Sequence, residues 1–373
     1  MTFGVYRLAT LGAIGAMIGA PLVAQDTTRI TLSVGVGRLT GRVTNQISSL
    51  PIPFVLISLD KPRTDFFTSE QGRFSLPELG RGEHRMFVRQ LGFQPLEVVL
   101  QVSEAPTHEL ELSLEPRALL LPTLVASACL PAAELEPGLR SVLAAASENA
   151  RRLDLMQRDY PYASRYQKVR EVFSRDGARI ARTSGLEEWQ FWTKSYYRPG
   201  KAIIPGREEG VNDVAWFTAT ALLAEDFRKT HCFRYGGADS TDPVAPLVTL
   251  EFEPLASLKG PDWQGRLTLD NRGVLRRSEA HLVINGKVKD SWPRAAACEV
   301  AYDAVGGALP VESVLICRTR MGEPWATVSV EEWRLTCQRF VKRVPGLESG
   351  FLADSSGAWR GRMCSSVNVK REQ

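Results

Sequence analysis

Thr68-Ser69-Glu70-Gln71-Gly72-Arg73-Phe74-Ser75-Leu76 decides the fold of the first third of the chain. Gly72 supplies the positive φ of a tight turn, and Phe74 and Leu76 alternate with Arg73 and Ser75 as the start of a half-buried strand. The same grammar continues on both sides. Short alternating runs at residues 39–44, 54–59, 65–68, 73–76, 85–91, 96–102 and 109–114 are separated by turn chemistry, including Glu78-Leu79-Gly80-Arg81-Gly82. Pro51 and Pro53 stand at a strand entrance, where a missing N–H costs little. Such lengths and spacings predict a β-sandwich and not a helical fold.

The order of the motifs is specific. Gly41-Arg42-Val43 is followed by Pro51-Ile52-Pro53-Phe54-Val55-Leu56-Ile57, then by residues 68–76. Leu79-Gly80-Arg81-Gly82-Glu83-His84 and Arg89-Gln90-Leu91-Gly92-Phe93-Gln94-Pro95 come next. The set resembles carboxypeptidase regulatory-like domains, over about a quarter of the chain. It departs from their pattern at Phe54, where a small residue is usual, and at Ser69 and Glu70, where an aspartate is usual. The resemblance implies a transthyretin-like seven-stranded sandwich without catalytic residues of its own. Such modules accompany zinc carboxypeptidases, outer-membrane receptors and many exported proteins, and their company does not transfer its chemistry.

The N-terminus reads as a targeting segment. Arg7 is the only charge before Asp26, and an apolar, small-residue run leads to Leu22-Val23-Ala24, so residues 1–24 are expected to be a cleaved signal peptide. Taking Arg7 from the 46 basic residues leaves 45 against 42 acidic ones, a net charge of +3. No basic stripe accompanies it, which argues against nucleic acid as a partner. All six cysteines, Cys129, Cys232, Cys298, Cys317, Cys337 and Cys364, follow the sandwich. An even number in an exported chain reads as a disulfide framework. One pair has a geometric argument. Residues 297–302 and 311–318 flank the turn signal Val305-Gly306-Gly307-Ala308-Leu309-Pro310, and a hairpin centred between Gly307 and Ala308 sets Cys298 opposite Cys317.

The expected organisation is a signal peptide at 1–24, the sandwich at 30–126, a linker and helix at 127–160, an antiparallel β-rich domain at 161–345 and a tail at 346–373. Leu139, Val142, Leu143, Ala146, Ala150, Leu153 and Met156 recur at helical spacing. Residues 213–229 read as a second helix. Roughly nine strands around these helices give a mainly β protein, in which an antiparallel sandwich precedes an α+β domain with a curved antiparallel sheet. Residues 250–270 loosely resemble the half-barrels of lipoprotein carriers. The length after Cys129 is too short for a plug and a membrane barrel, so an integral outer-membrane receptor is not expected.

Candidate chemistry is sparse. His108-Glu109-Leu110-Glu111 with His231 imitates a zinc peptidase ligand set, but Leu110, Leu112 and Leu114 alternate as a strand. Residues three apart on a strand point to opposite faces, so His108 and Glu111 cannot share a metal. His231-Cys232 near Asp226 invites a Cys–His nucleophile, yet a disulfide suits Cys232 better. Glu251 and Glu253 share a strand face, by default a solvated one. Trp189, Phe191, Trp192, Tyr196 and Tyr197 form an aromatic-rich segment, read as one strand, which is the candidate lining of an apolar-ligand site. The sequence holds no P-loop, G-x-S-x-G, H-E-x-x-H or dinucleotide fingerprint. No cofactor, metal or catalytic residue is assigned. The expected function is a periplasmic or secreted, non-enzymatic binding or scaffold protein of the cell envelope, its partner an envelope protein or apolar ligand. The alternatives are a hydrolase or carboxypeptidase-associated accessory protein, and a structural or partner-binding protein of the envelope.

Overall fold

The computed structural model describes residues 27–104, 109–119, 128–159, 162–190, 197–205, 212–239, 247–287, 292–305, 309–321 and 327–340. The expected signal peptide, His108, Cys364 and the tail at 346–373 lie outside the described residues.

The first unit is a sandwich of a five-stranded and a three-stranded sheet. Its strands are β1 (Thr28–Gly35), β2 (Thr40–Asn45), β3 (Leu56–Leu59), β4 (Thr64–Phe67), β5 (Arg73–Ser75), β6 (Gly82–Arg89), β7 (Leu96–Ser103) and β8 (Leu110–Leu114). The larger sheet runs β1-β7-β6-β3-β4 and the smaller β5-β2-β8. Alternation places Met86 and Val88 of β6, Val98 and Leu100 of β7 and Leu110, Leu112 and Leu114 of β8 in one core with Val43, Ile57 and Phe74. Gly72, at φ +69°, is the turn glycine, and a Cβ there would come within 2.5 Å of the Val43 carbonyl oxygen. The seven segments read from the sequence all contribute to the two sheets. An eighth strand, β1, joins β7 in parallel from Thr28↔Leu96 to Gly35↔Ser103, and β2 pairs with β8 in parallel as well.

Beyond the sandwich lies a ten-stranded antiparallel sheet with one long helix on it. Its strands are β9 (Leu130–Pro131), β10 (Tyr162–Phe173), β11 (Arg179–Gln190), β14 (His231–Asp239), β15 (Leu247–Pro254), β16 (Gly260–Leu269), β17 (Leu275–Asn285), β18 (Ala295–Val305), β19 (Leu309–Arg320) and β20 (Val328–Phe340). Their order is β11-β10-β20-β19-β18-β17-β16-β15-β14-β9. A separate short hairpin pairs β12 (Ile203–Pro205) with β13 (Asn212–Val214). Helix α1 (Pro137–Asp159) lays Leu139, Val142, Leu143, Ala146, Ala150 and Leu153 on a core that includes Phe233, Leu250, Phe252, Leu267 and Val300. Glu136 begins it by accepting hydrogen bonds from the Gly138 and Leu139 amides at 2.8 and 2.7 Å.

The single helix expected at 213–229 is not there. Asn212–Val214 is strand β13, Ala219–Leu223 is a 3-10 turn, and only Glu225–Thr230 is helical (α2). Phe217, Ala219, Ala221, Leu222 and Phe227 are buried in the same core, but as the inner side of a wrapping segment. Apolar spacing alone cannot separate that path from a helix.

Among the described residues, two disulfides tie strands of this region together. Cys298 faces Cys317 across β18 and β19 with the Cα atoms 4.2 Å apart. Cys129 joins Cys232 at a Cα separation of 5.2 Å, and so fastens β9 to β14. Bonds of this kind persist in an oxidising compartment, as in an exported protein.

The sandwich and α1 meet at Arg152. Its side chain is fully buried and donates to the carbonyl oxygens of Phe54 and Arg89, both at 2.9 Å. Phe54 adopts φ +53°, a left-handed conformation that non-glycine residues rarely take. The guanidinium also lies 5.7 Å from the centre of the Phe67 ring and 3.3 Å from Glu148.

Candidate ligand-binding site

A cleft of about 430 Å³ opens between the β12–β13 hairpin and β16. Local hydrogen bonds place the hairpin. The Ala202 amide donates to the Pro261 carbonyl at 3.0 Å, and the Ala215 amide to the Ala202 carbonyl at 2.8 Å. The Trp263 indole N–H reaches the Ala215 carbonyl at 3.0 Å. This carries Trp216 to 6.1 Å from Trp263, with the two rings inclined by 33°. Ile203, Ile204, Phe217 and Ala221 complete the apolar lining, while Arg198, Lys201 and Thr218 supply its polar part.

One wall is held by a buried carboxylate. Asp262 on β16 accepts hydrogen bonds from the Tyr197 hydroxyl at 2.7 Å, the Gly200 amide at 2.8 Å and the Trp263 amide at 2.7 Å. Burial, together with the bond to Asp262, pushes the Tyr197 phenol well above its ordinary range. Its ring meets Phe227 edge-on at 5.0 Å. Such a wall is preorganised, because each donor and acceptor is used within the protein.

His231 lies behind that wall, fully buried and stacked on Phe227 at 3.9 Å. Its Nδ1 faces the Phe227 carbonyl at 3.1 Å and its Nε2 the Trp263 carbonyl at 3.0 Å. Burial pushes the imidazole below its ordinary range, while Asp262 at 3.7 Å and the two carbonyls pull the other way. Each ring nitrogen faces a backbone carbonyl, to one of which the neutral ring donates its single N–H, and the ring acts as a strut between α2 and β16. Cys232 is the disulfide partner of Cys129, so the adjacent His231-Cys232 pair presents no thiolate. Cys129, Cys232 and Glu253 bring their donor atoms within 4.8 Å of one another. Two of those three donors are already bonded to each other, which removes them as metal ligands. Glu251 and Glu253 are engaged by Arg234, at 2.5 and 3.3 Å, and together raise its pKa. Glu111 is exposed on β8, opposite in facing to Leu110 and Leu112.

The aromatic segment is not one strand. Trp189 belongs to the end of β11, at the far edge of the sheet. Phe191, Trp192 and Tyr196 lie outside the described residues. Tyr197 follows in a loop that docks on β14 and β16, eight and six strands away from β11 in the sheet order. The structure therefore brings Tyr197 alone of the described pair into the cleft. Trp216, Trp263 and Asp262, which build the site with it, carry no local sequence signal beyond the aromatic character of the two tryptophans.

Among the described residues no helix is long and apolar enough to cross a membrane. Comparison with solved structures finds a DUF1329 family protein from Desulfovibrio piger, 11% identical, with a TM-score of 0.28 over 54% of this chain and 93% of that one. MucB in complex with MucA(peri) is matched at 13% identity and a TM-score of 0.16, over 50% of this chain and 92% of that one. No curated protein matches the chain. The sandwich is placed more firmly, in a way compatible with an envelope protein: residues 39–126 match the model of the CarboxypepD_reg-like domain.

Proposed function

We propose that the protein is an exported, non-enzymatic binding protein of the cell envelope. In this reading the cleft beside β12–β13 holds an apolar ligand and the sandwich is a docking or spacer module. The observation that carries it is the cleft itself: two tryptophans and two isoleucines face open space of a size typical for a small-molecule site. The polar groups behind it are tied up structurally, which favours binding over turnover. N-phenyl-1-naphthylamine, a neutral apolar fluorophore, tests the reading. Its emission should rise saturably with one site per chain. Truncation of Trp216 to alanine should weaken binding about tenfold, the usual scale for a buried aromatic anchor. Equal binding by the wild type and W216A would remove the cleft as the ligand site.

A further inference from the structure

We infer that the ligand of this cleft carries an anionic group, read by a pair of cations that a fixed turn presents at the mouth. The inference rests on the cleft being a ligand site and names the chemical class that it takes.

The pair is built by Arg198-Pro199-Gly200-Lys201. The Lys201 amide donates to the Arg198 carbonyl at 3.2 Å, and Gly200 adopts φ +65°. Proline at the second position and a left-handed glycine at the third are the signature of a type II turn, which brings its end residues within about 7 Å of each other. Arg198 and Lys201 are those end residues, and both line the cleft. The turn cannot drift. Gly200 is held by Asp262 through its amide, and a Cβ there would lie 2.2 Å from the Lys259 carbonyl oxygen. Only glycine fits, so the backbone positions from which the two exposed cationic side chains extend are fixed.

The charge balance points the same way. Among the described residues neither Arg198 nor Lys201 has an ion pair or a side-chain hydrogen bond. The Asp262 carboxylate in the cleft wall has its oxygens spent on Tyr197, Gly200 and Trp263. An apolar pocket rimmed by two unpaired cations matches an amphiphile with a carboxylate, phosphate or sulfonate head. Charge-assisted hydrogen bonds to such a head are shorter and stronger than neutral ones.

The test compares N-phenyl-1-naphthylamine with 1-anilinonaphthalene-8-sulfonate, which has the same aromatic body plus one sulfonate. The wild type should bind the sulfonate about tenfold more tightly at low salt, and added salt should shrink that preference. In R198Q/K201Q the ratio of the two affinities should fall to about one. Should that variant fail to fold, K201E alone should reverse the preference. Inorganic phosphate alone should displace neither probe, and complete displacement by it would overturn the amphiphile in favour of a free anion. A neutral probe bound in a Trp216-dependent way with no preference for the sulfonate overturns the inference while leaving the cleft reading intact. A preference that survives R198Q/K201Q does the same. If W216A affects neither probe, both readings fall together.

Discussion

Glu312 sets a carboxyl beside Tyr166 and Tyr302, and among the described residues no cation pairs with it. It stands opposite Tyr302 in the β18–β19 register, and the Tyr166 hydroxyl approaches its backbone carbonyl at 3.5 Å. Burial alone pushes the carboxyl up to about 7 from 4.5. A raised acid pKa means that the folded state holds the proton more tightly than the unfolded chain. The associated stability is fully present below pH 4.5 and is lost as pH rises through about 7. E312Q removes the titration while keeping the shape. It should leave stability at pH 4 nearly unchanged and raise it at pH 8 by roughly 3 kcal/mol. Urea midpoints at the two pH values measure this, and an equal shift at both would show that charge is not the cause. In the sequence Glu312 is one acid in an alternating strand. The irregularity between Ala301 and Tyr302 that accompanies its placement has no residue signature, so the site could not be read in advance.

Elements were legible where their partners are close in sequence. The β18–β19 hairpin follows from its turn signal, but beside the turn Val305 pairs with Leu309, one residue off the expected centre, and the irregularity between Ala301 and Tyr302 is what sets Cys298 opposite Cys317. Strand β1 alternates equally well, with Ile30, Leu32 and Val34 turned towards the core. Its partner β7 begins at Leu96 and runs parallel, so no hairpin turn announces the pairing. The cleft is of the same kind: Tyr197, Trp216 and Trp263 come from three separate segments, and only Tyr197 sat in a conspicuous run. The Cys129–Cys232 and Cys298–Cys317 disulfides test the element scale directly, since they close chain segments of different length. Cys129–Cys232 spans 103 residues and Cys298–Cys317 spans 19. Chain-entropy scaling makes removal of the longer closure costlier by about 1.5 kcal/mol. Paired serine variants compared in urea should show that order. The reverse order would mean that native packing, and not loop closure, governs the contribution of each bond.

The described residues form two hydrophobic cores, one in the sandwich and one between α1 and the large sheet. Arg152 on α1 connects them through the Phe54 and Arg89 carbonyls, and the Leu119 amide adds a hydrogen bond to the Asn271 carbonyl at 3.2 Å. Phe54 is the position at which the sequence departs from the small residue usual in its domain type. Its left-handed backbone is also the one whose carbonyl Arg152 captures, so the departure and the clamp fall on the same residue. Burial lowers the Arg152 pKa to about 10, with Glu148 acting in the opposite sense. The guanidinium therefore stays charged near neutrality and is held by its partners. R152M keeps much of the volume but leaves two carbonyls without their donor and Glu148 with Arg89, at 3.9 Å, as its remaining cation. Breaking one side of a buried ionic cluster costs roughly 3 kcal/mol. Because the loss falls on the junction, it should do more than lower the melting temperature. Calorimetry of the wild type should show one transition for both cores, and R152M should separate it into two, with the sandwich and the sheet region melting independently. A single transition merely shifted downwards in R152M would locate the coupling elsewhere along the junction, at the contacts of Leu119 and at the approach of Gly92 to Arg272.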